Sequence, residues 1–235
     1  MGKASNRGAL LVKLYMGYGG LFYGLLYWVY VGYALKRDHG RVWVPKEWAL
    51  YDSSIGRFSC SRIAMLLVNS SLQFLATYAM LLAFEYGLMA GINQGILSGT
   101  TNLAAVVSAV LMYLVFKERT TRTQMVGMVF LIASSILLGL NSGDKPDPED
   151  DPNRDPTIPQ YLPVLISASC AVMFGIRNVT IRYAVVNTGY EVLSLAIGQS
   201  ALEGILCAIP ATVLIILNGG EDANLMYIIF AAGII

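Results

Sequence analysis

The sequence predicts an all-α, polytopic membrane helix bundle, and three observations predict it. Hydrophobic residues make up 56% of the 235 positions and charged residues 13%, against about 25% charged in ordinary soluble domains. Residues 85–140 hold two apolar runs, and neither 103–116 nor 125–140 contains a charge. The remaining charges punctuate further runs approaching the ~20 apolar residues that cross a ~30 Å hydrocarbon core. The net charge of +1 offers nucleic acid no basic patch. Cys60, Cys170 and Cys207 have no paired spacing and read as packing residues, neither a disulfide framework nor a metal site. No cofactor is implied.

The first span, A, is expected over residues 9–35. It carries six tyrosines, Trp28 and the close-packing pair Gly20 and Gly24. Its length, its tyrosines and the absence of a small-residue cleavage pattern argue against a removable signal peptide. Residues 36–60 read as a solvated basic loop, with an amphipathic surface piece over 44–50 as the lesser alternative. Span B, 62–84, carries Asn69, Gln73 and Thr77 at a spacing of four, which is one helix face that should avoid lipid.

Span C is expected as one helix over 88–115. On a wheel, Gly91, Gly95 and Gly99 share a half with Gln94, Ser98, Thr101, Asn102 and Ala105, opposite Ile92, Ile96, Leu103 and Val107. The three glycines are therefore expected to pack C against a neighbour, with sliding or rocking of C in alternating access as the alternative. Glu118 and Arg119 are expected to close the basic turn that follows and to neutralise each other. Span D covers 124–140. Residues 141–160 hold five of the eight prolines and six acidic residues, an extended solvated loop. Span E covers 161–185 with Arg177 and Arg182; span F covers 192–217 with Gln199 and Glu203, four apart. A seventh apolar run begins at Asn224 and reaches Ile235, twelve residues that cannot cross hydrocarbon alone.

Loop charge sets the orientation. The A/B, C/D and E/F connections hold Lys36, Arg37, Arg41, Lys46, Arg57, Arg62, Lys117, Arg119, Arg122 and Arg182, and the opposite connections only Lys145 and Arg154. The first side is thus the cytoplasmic one. The tail with Lys3, Arg7 and Lys13 falls on the wrong side, which a missing span before residue 1 would explain. The chain reads as cut at both ends.

The turn Phe116-Lys117-Glu118-Arg119, then Gln124-x-x-Gly127 leading to Leu138-Gly139-Leu140, resembles the drug/metabolite transporter superfamily, in its EamA-like repeat and nucleotide-sugar transporter-like branch. Ala171-Val-Met-Phe-Gly-Ile-Arg-Asn-Val, followed by Arg182, is similar to the opening helix of that family's second repeat. The resemblance implies inverted five-helix repeats, with about seven hydrophobic runs present of an expected ten. Residues 1–140 would be a first repeat lacking its first span, 141–160 the acidic, proline-rich non-cytoplasmic loop, and 161–235 the start of a second repeat. Nucleotide-sugar carriers of the family use an early Phe-Tyr-Asn-Asn, where span A has Phe22-Tyr23-Gly24. Their late Gly-Ala-Leu-Asn-Lys would fall beyond Ile235.

Asn69, Gln73, Gln94, Asn102, Arg177, Gln199 and Glu203 are the candidates to line a substrate cavity. For the amides the competing role is interhelical hydrogen bonding at ~0.6 kcal/mol each. Arg177 and Glu203 differ in depth by only ~6 Å at 1.5 Å per residue. They are expected to pair, or else Arg177 reaches the cytoplasmic headgroups or attracts an anionic solute. The function so implied is secondary transport of a small polar or anionic metabolite, nucleotide-sugar-like solutes included, by alternating access. The alternative is a non-transporting accessory subunit, with a homodimer or a larger membrane complex as partner. An enzyme ranks last: no span contains Asp, and His39, the single histidine, lies in a loop.

Overall fold

A computed structural model describes residues 5–44, 46, 48–52, 56–140 and 157–217. The expected acidic loop lies mostly outside these residues, and the seventh run wholly outside them. Among the described residues the structure is mostly helical, with one small hairpin. The order is α1 (Ser5–His39), β1 (Tyr51–Asp52), β2 (Arg57–Phe58), α2 (Cys60–Met89), α3 (Gln94–Asn102), α4 (Ala104–Phe116), α5 (Arg122–Leu140), α6 (Tyr161–Thr188) and α7 (Val192–Leu217).

Among the described residues four helical stretches are long and apolar enough to cross a membrane: α2, α3 with α4, α6, and α7. The longest described helix is α1, at 35 residues, and α5 has 19. Burial runs opposite to that of a water-soluble protein. Val29, Phe130 and Ile216 are 70%, 71% and 72% exposed, while Asn69 and Gln199 are 0% and 2%. Apolar side chains outward and polar side chains inward is the arrangement a lipid solvent selects. The chain is accordingly a multi-pass membrane protein.

Two compact units emerge, one of Met1–Leu10 with Leu72–Val179, the other of Leu11–Ser71 with Thr180–Ile235. In the first, α3 packs on α5 through Gly99, where a Cβ would stand 3.0 Å from the Ser135 hydroxyl oxygen. Ser135 donates to the Gly99 carbonyl at 3.0 Å. In the second, α1 and α7 meet through small residues. A Cβ at Gly20 would stand 2.6 Å from the Ser200 carbonyl oxygen, and one at Gly204 2.7 Å from the Gly17 oxygen. Backbones this close leave no room for a side chain at these positions.

Span C is not one helix. Gly91 takes φ +70°, the Ile92 N–H bonds back to the Gly87 carbonyl at 2.8 Å, and the Gly91 N–H to that of Leu88. This pair of bonds closes α2 with a left-handed glycine. Asn93 then opens α3, its side chain accepting from the Gly95 N–H at 2.8 Å, a helix-capping role. Gly91 and Gly95 serve a turn and a cap, and Gly99 packs on a neighbouring helix. The next turn begins at Lys117, left-handed at φ 58°. Thr121 and Gln124 bond reciprocally, each side chain accepting from the other's backbone N–H. That capping box fixes where α5 begins.

Among the described residues of the 40–58 connection, none of which is buried, a short hairpin forms that the solvated-loop expectation did not include. The hairpin pairs Tyr51 with Phe58, whose rings meet edge-on at 5.8 Å, and Trp43 lies against Trp48 at 4.8 Å. Aromatic pairs of this kind hold a short segment together without a helix.

Candidate functional site

The second unit contains a cavity of about 380 Å³, within the range of small-molecule sites. Its wall is drawn from α1 (Tyr27, Trp28, Val31), the folded connection (Trp48–Leu50), the start of α2 (Arg62, Leu66), the α6–α7 turn (Gly189–Glu191) and α7. Along α7 the lining runs from Glu191 to Ile205, or ~21 Å of helix, so the cavity reaches from the helix ends well into the bundle.

Arg62 is held by three carbonyls. Its Nε donates to Thr188 at 3.0 Å, and its Nη1 to Ala49 at 2.8 Å and to Tyr51 at 2.7 Å. These bonds satisfy the last turn of α6 and tie the connection to the α6–α7 turn. The remaining nitrogen, Nη2, lies 3.6 Å from where a Cβ at residue 189 would stand. Residue 189 is glycine at φ +61°, which both ends α6 and leaves that nitrogen uncrowded.

Glu191 is fixed from the other side of the turn. Ser194 donates to Glu191 Oε2 at 2.7 Å, and with its one proton so used it accepts from the Tyr27 hydroxyl at 3.1 Å. Arg62 and Glu191 line the same cavity, yet neither belongs to an ion pair among the described residues. Tyr190 is buried in a cluster with Ala184 and Leu195. Burial pushes its hydroxyl up to about 12, against the opposing pull of Arg62 and with a small addition from Tyr27. It stays neutral at every physiological pH.

Of the residues expected to line a cavity, none lines this one. Asn69 and Gln199 serve packing instead. Asn69 Oδ1 accepts from Thr180 at 2.8 Å, its Nδ2 donates to Met65, and its carbonyl accepts from Gln199 Nε2 at 3.3 Å. This node joins α2, α6 and α7. Glu203 is paired with Lys13 of α1, so the carboxylate expected to meet Arg177 is taken by a lysine assigned to the N-terminal tail. The pair is largely buried, at 5% and 14% exposure.

In the other unit, Gln73 donates to Thr77 at 3.2 Å and Gln94 to the Phe84 carbonyl at 3.1 Å, across the α2–α3 turn. Asn102 is exposed at the end of α3, and Arg177 is half-buried on α6. A second cavity, of about 700 Å³, borders the 117–121 turn with Glu118, Arg119 and Gln124 on its wall. Its two charges stand on exposed side chains, where water screens them.

Arg62, Glu191 and Ser194 were missed because each stands at a helix end, where a charge reads as a loop marker. The available signal was Asn-Thr-Gly-Tyr-Glu at 187–191, a helix-ending glycine followed at once by an aromatic residue and an acid between two apolar spans. Comparisons of the chain with protein-family models, with curated proteins and with solved structures find no match.

Proposed function

We propose that this protein is a multi-pass membrane carrier that moves a small polar or charged metabolite by alternating access. The observation that supports this reading is the cavity of the second unit. Its wall includes residues of α1, α2 and α7, it extends ~21 Å along α7, and it holds a cation and an anion that form no ion pair among the described residues. Arg62 is half-buried and Glu191 exposed, so both are within reach of a charged solute that enters the cavity. Arg62 and Glu191 stand on the side that carries the basic connections, so the cavity in this conformation belongs to the cytoplasmic half. The inverted-repeat architecture of the drug/metabolite transporters is part of the same proposal. Its basis is the motif resemblance and the loop-charge phase.

Transport is tested on the purified chain in proteoliposomes with a panel of labelled polar metabolites, read as counterflow. Saturable uptake that falls at least about tenfold in Glu191→Gln, with unchanged thermal stability, is the expected result. No counterflow of any solute by a protein that is folded and monodisperse would leave the accessory-subunit reading.

A further inference from the structure

We infer that the cavity of the second unit is a site for a zwitterion: a ligand with one anionic and one ammonium group on an apolar or aromatic body. The inference rests on the carrier reading for its biological use, but the binding chemistry stands on the geometry alone. Three features converge. First, the guanidinium of Arg62 is immobilised by Thr188, Ala49 and Tyr51 through Nε and Nη1. Nη2 remains as the donor edge, beside a residue with no side chain to cover it. A carboxylate or phosphate oxygen is the acceptor that forms the strongest bond with such an edge.

Second, Glu191 is oriented by Ser194, which the Tyr27 hydroxyl supports in turn, and one carboxylate oxygen is engaged by that serine. Ser194 holds the carboxylate without neutralising it. An ammonium group completes it, and the aromatic faces of Tyr27, Trp28 and Trp48 in the same wall suit a cation as well as an apolar body. Third, the two charges remain apart even though both line one small cavity. A ligand with a single charge would use one of them and forgo the charge-assisted bond that the other offers. Only a ligand with both charges completes the site.

Free metabolites and zwitterionic lipid headgroups share this chemistry, and the probes separate them. Binding to the full chain, purified in a non-ionic detergent, is measured by intrinsic tryptophan fluorescence, since Trp28 and Trp48 are in the wall. The probes are L-phenylalanine, its single-charge analogues 3-phenylpropanoate and phenethylamine, and glycerophosphocholine. The expected result is saturable binding of L-phenylalanine, with each single-charge analogue weaker by about tenfold, the value of one charge-assisted hydrogen bond. In Glu191→Gln, which keeps an acceptor for Ser194, L-phenylalanine and 3-phenylpropanoate should bind alike. In Arg62→Lys, which keeps the cation but loses the fixed edge, the preference over phenethylamine should shrink.

Binding of glycerophosphocholine without L-phenylalanine would uphold the zwitterion and identify a lipid headgroup as its source. Wild-type protein that binds phenethylamine or 3-phenylpropanoate as tightly as the zwitterions, or that binds none of the four, overturns the inference. Zwitterion binding without counterflow would remove the carrier reading and leave this one standing. Counterflow of a purely anionic solute without zwitterion binding would do the reverse.

Discussion

Polar side chains are handled differently in the two units. In the unit containing Leu72–Val179, hydroxyls and amides close on neighbouring carbonyls or on each other in neutral pairs. Thr101 meets Ser167 at 3.0 Å, Ser167 donates to Leu97 at 2.7 Å, and Asn178 donates to Ser108 at 2.9 Å. In the unit containing Thr180–Ile235, Lys13 and Glu203 form a largely buried ion pair between two helices, and Arg62 and Glu191 line a cavity. Neutral bonds in a membrane are worth ~0.6 kcal/mol and serve to fix helices, whereas a buried ion pair loses several kcal/mol when one partner is removed. Charged residues with buried atoms occur in the first unit too, at Glu85 and Arg177, so the difference lies in the Lys13–Glu203 pair, and it can be tested position by position.

Helix contact is tested by comparing one glycine in each unit. In Gly204→Ala the new methyl would meet backbone atoms of Gly17 and Leu21, whereas in Gly99→Ala it would meet mainly the side chain of Ser135. A serine hydroxyl can rotate, but two backbones can only separate. Thermal unfolding in detergent should show Gly204→Ala less stable than Gly99→Ala by at least about 1–3 kcal/mol, the usual cost of overpacking. Equal losses would mean that α1 and α7 are not packed as tightly as described.

The ion pair comes next. Lys13→Met leaves Glu203 buried without its cation, and losing one partner of such a pair costs about 3–5 kcal/mol. The double variant Lys13→Met with Glu203→Leu removes both charges and should regain most of that loss. A double variant as unstable as the single would show that Lys13 and Glu203 do not act on each other.

The legible part of this molecule was the apolar part. Runs of uncharged residues identified α2, α6 and α7 within a few residues, because hydrophobic length is a requirement each span meets by itself. The spacing of four that placed Gln73 and Thr77 on one face is likewise local to one helix, and there the two side chains bond to each other. The break at Ala90–Asn93 was present in the sequence as a glycine followed by a capping asparagine, but the apolar wheel outweighed it. Thr121 and Gln124 carried a capping signal that the basic turn obscured. Partner choice was not legible: Glu203 lies 190 residues from Lys13 in sequence, and no periodicity links them. Arg62 and Glu191 come together only because a folded connection and a helix turn converge. Gln199 and Asn69 were rightly seen as inward-facing, but what they face is each other.

A smaller effect, confined to alkaline solution, should follow from Tyr190. Its hydroxyl is pushed up to about 12 by burial from an ordinary value near 10. Between these values the folded protein keeps the proton that the unfolded chain releases, so stability falls as pH rises through that window and is unaffected below it. Tyr190→Phe should remove that part of the alkaline decline, measured as the change in melting temperature between pH 9 and pH 11. An unchanged decline in the variant would show that the Tyr190 hydroxyl is accessible to water, and that the cavity wall is looser than described.

The smallest effect compares the two units directly through one hydroxyl in each. Thr180→Val removes the donor to Asn69 Oδ1 and leaves a fully buried amide oxygen short of a partner. Thr101→Val removes a hydroxyl from Ser167, but Ser167 retains its bond to the Leu97 carbonyl. An unsatisfied buried acceptor costs more than a bond whose partner has a substitute. Thr180→Val should therefore destabilise by about 1 kcal/mol, within the ~1.7 kcal/mol maximum measured for such bonds in membranes. Thr101→Val should stay close to the wild type. A reversed order would place the more demanding polar network in the unit containing Leu72–Val179, and the contrast between the units would fail at its simplest point.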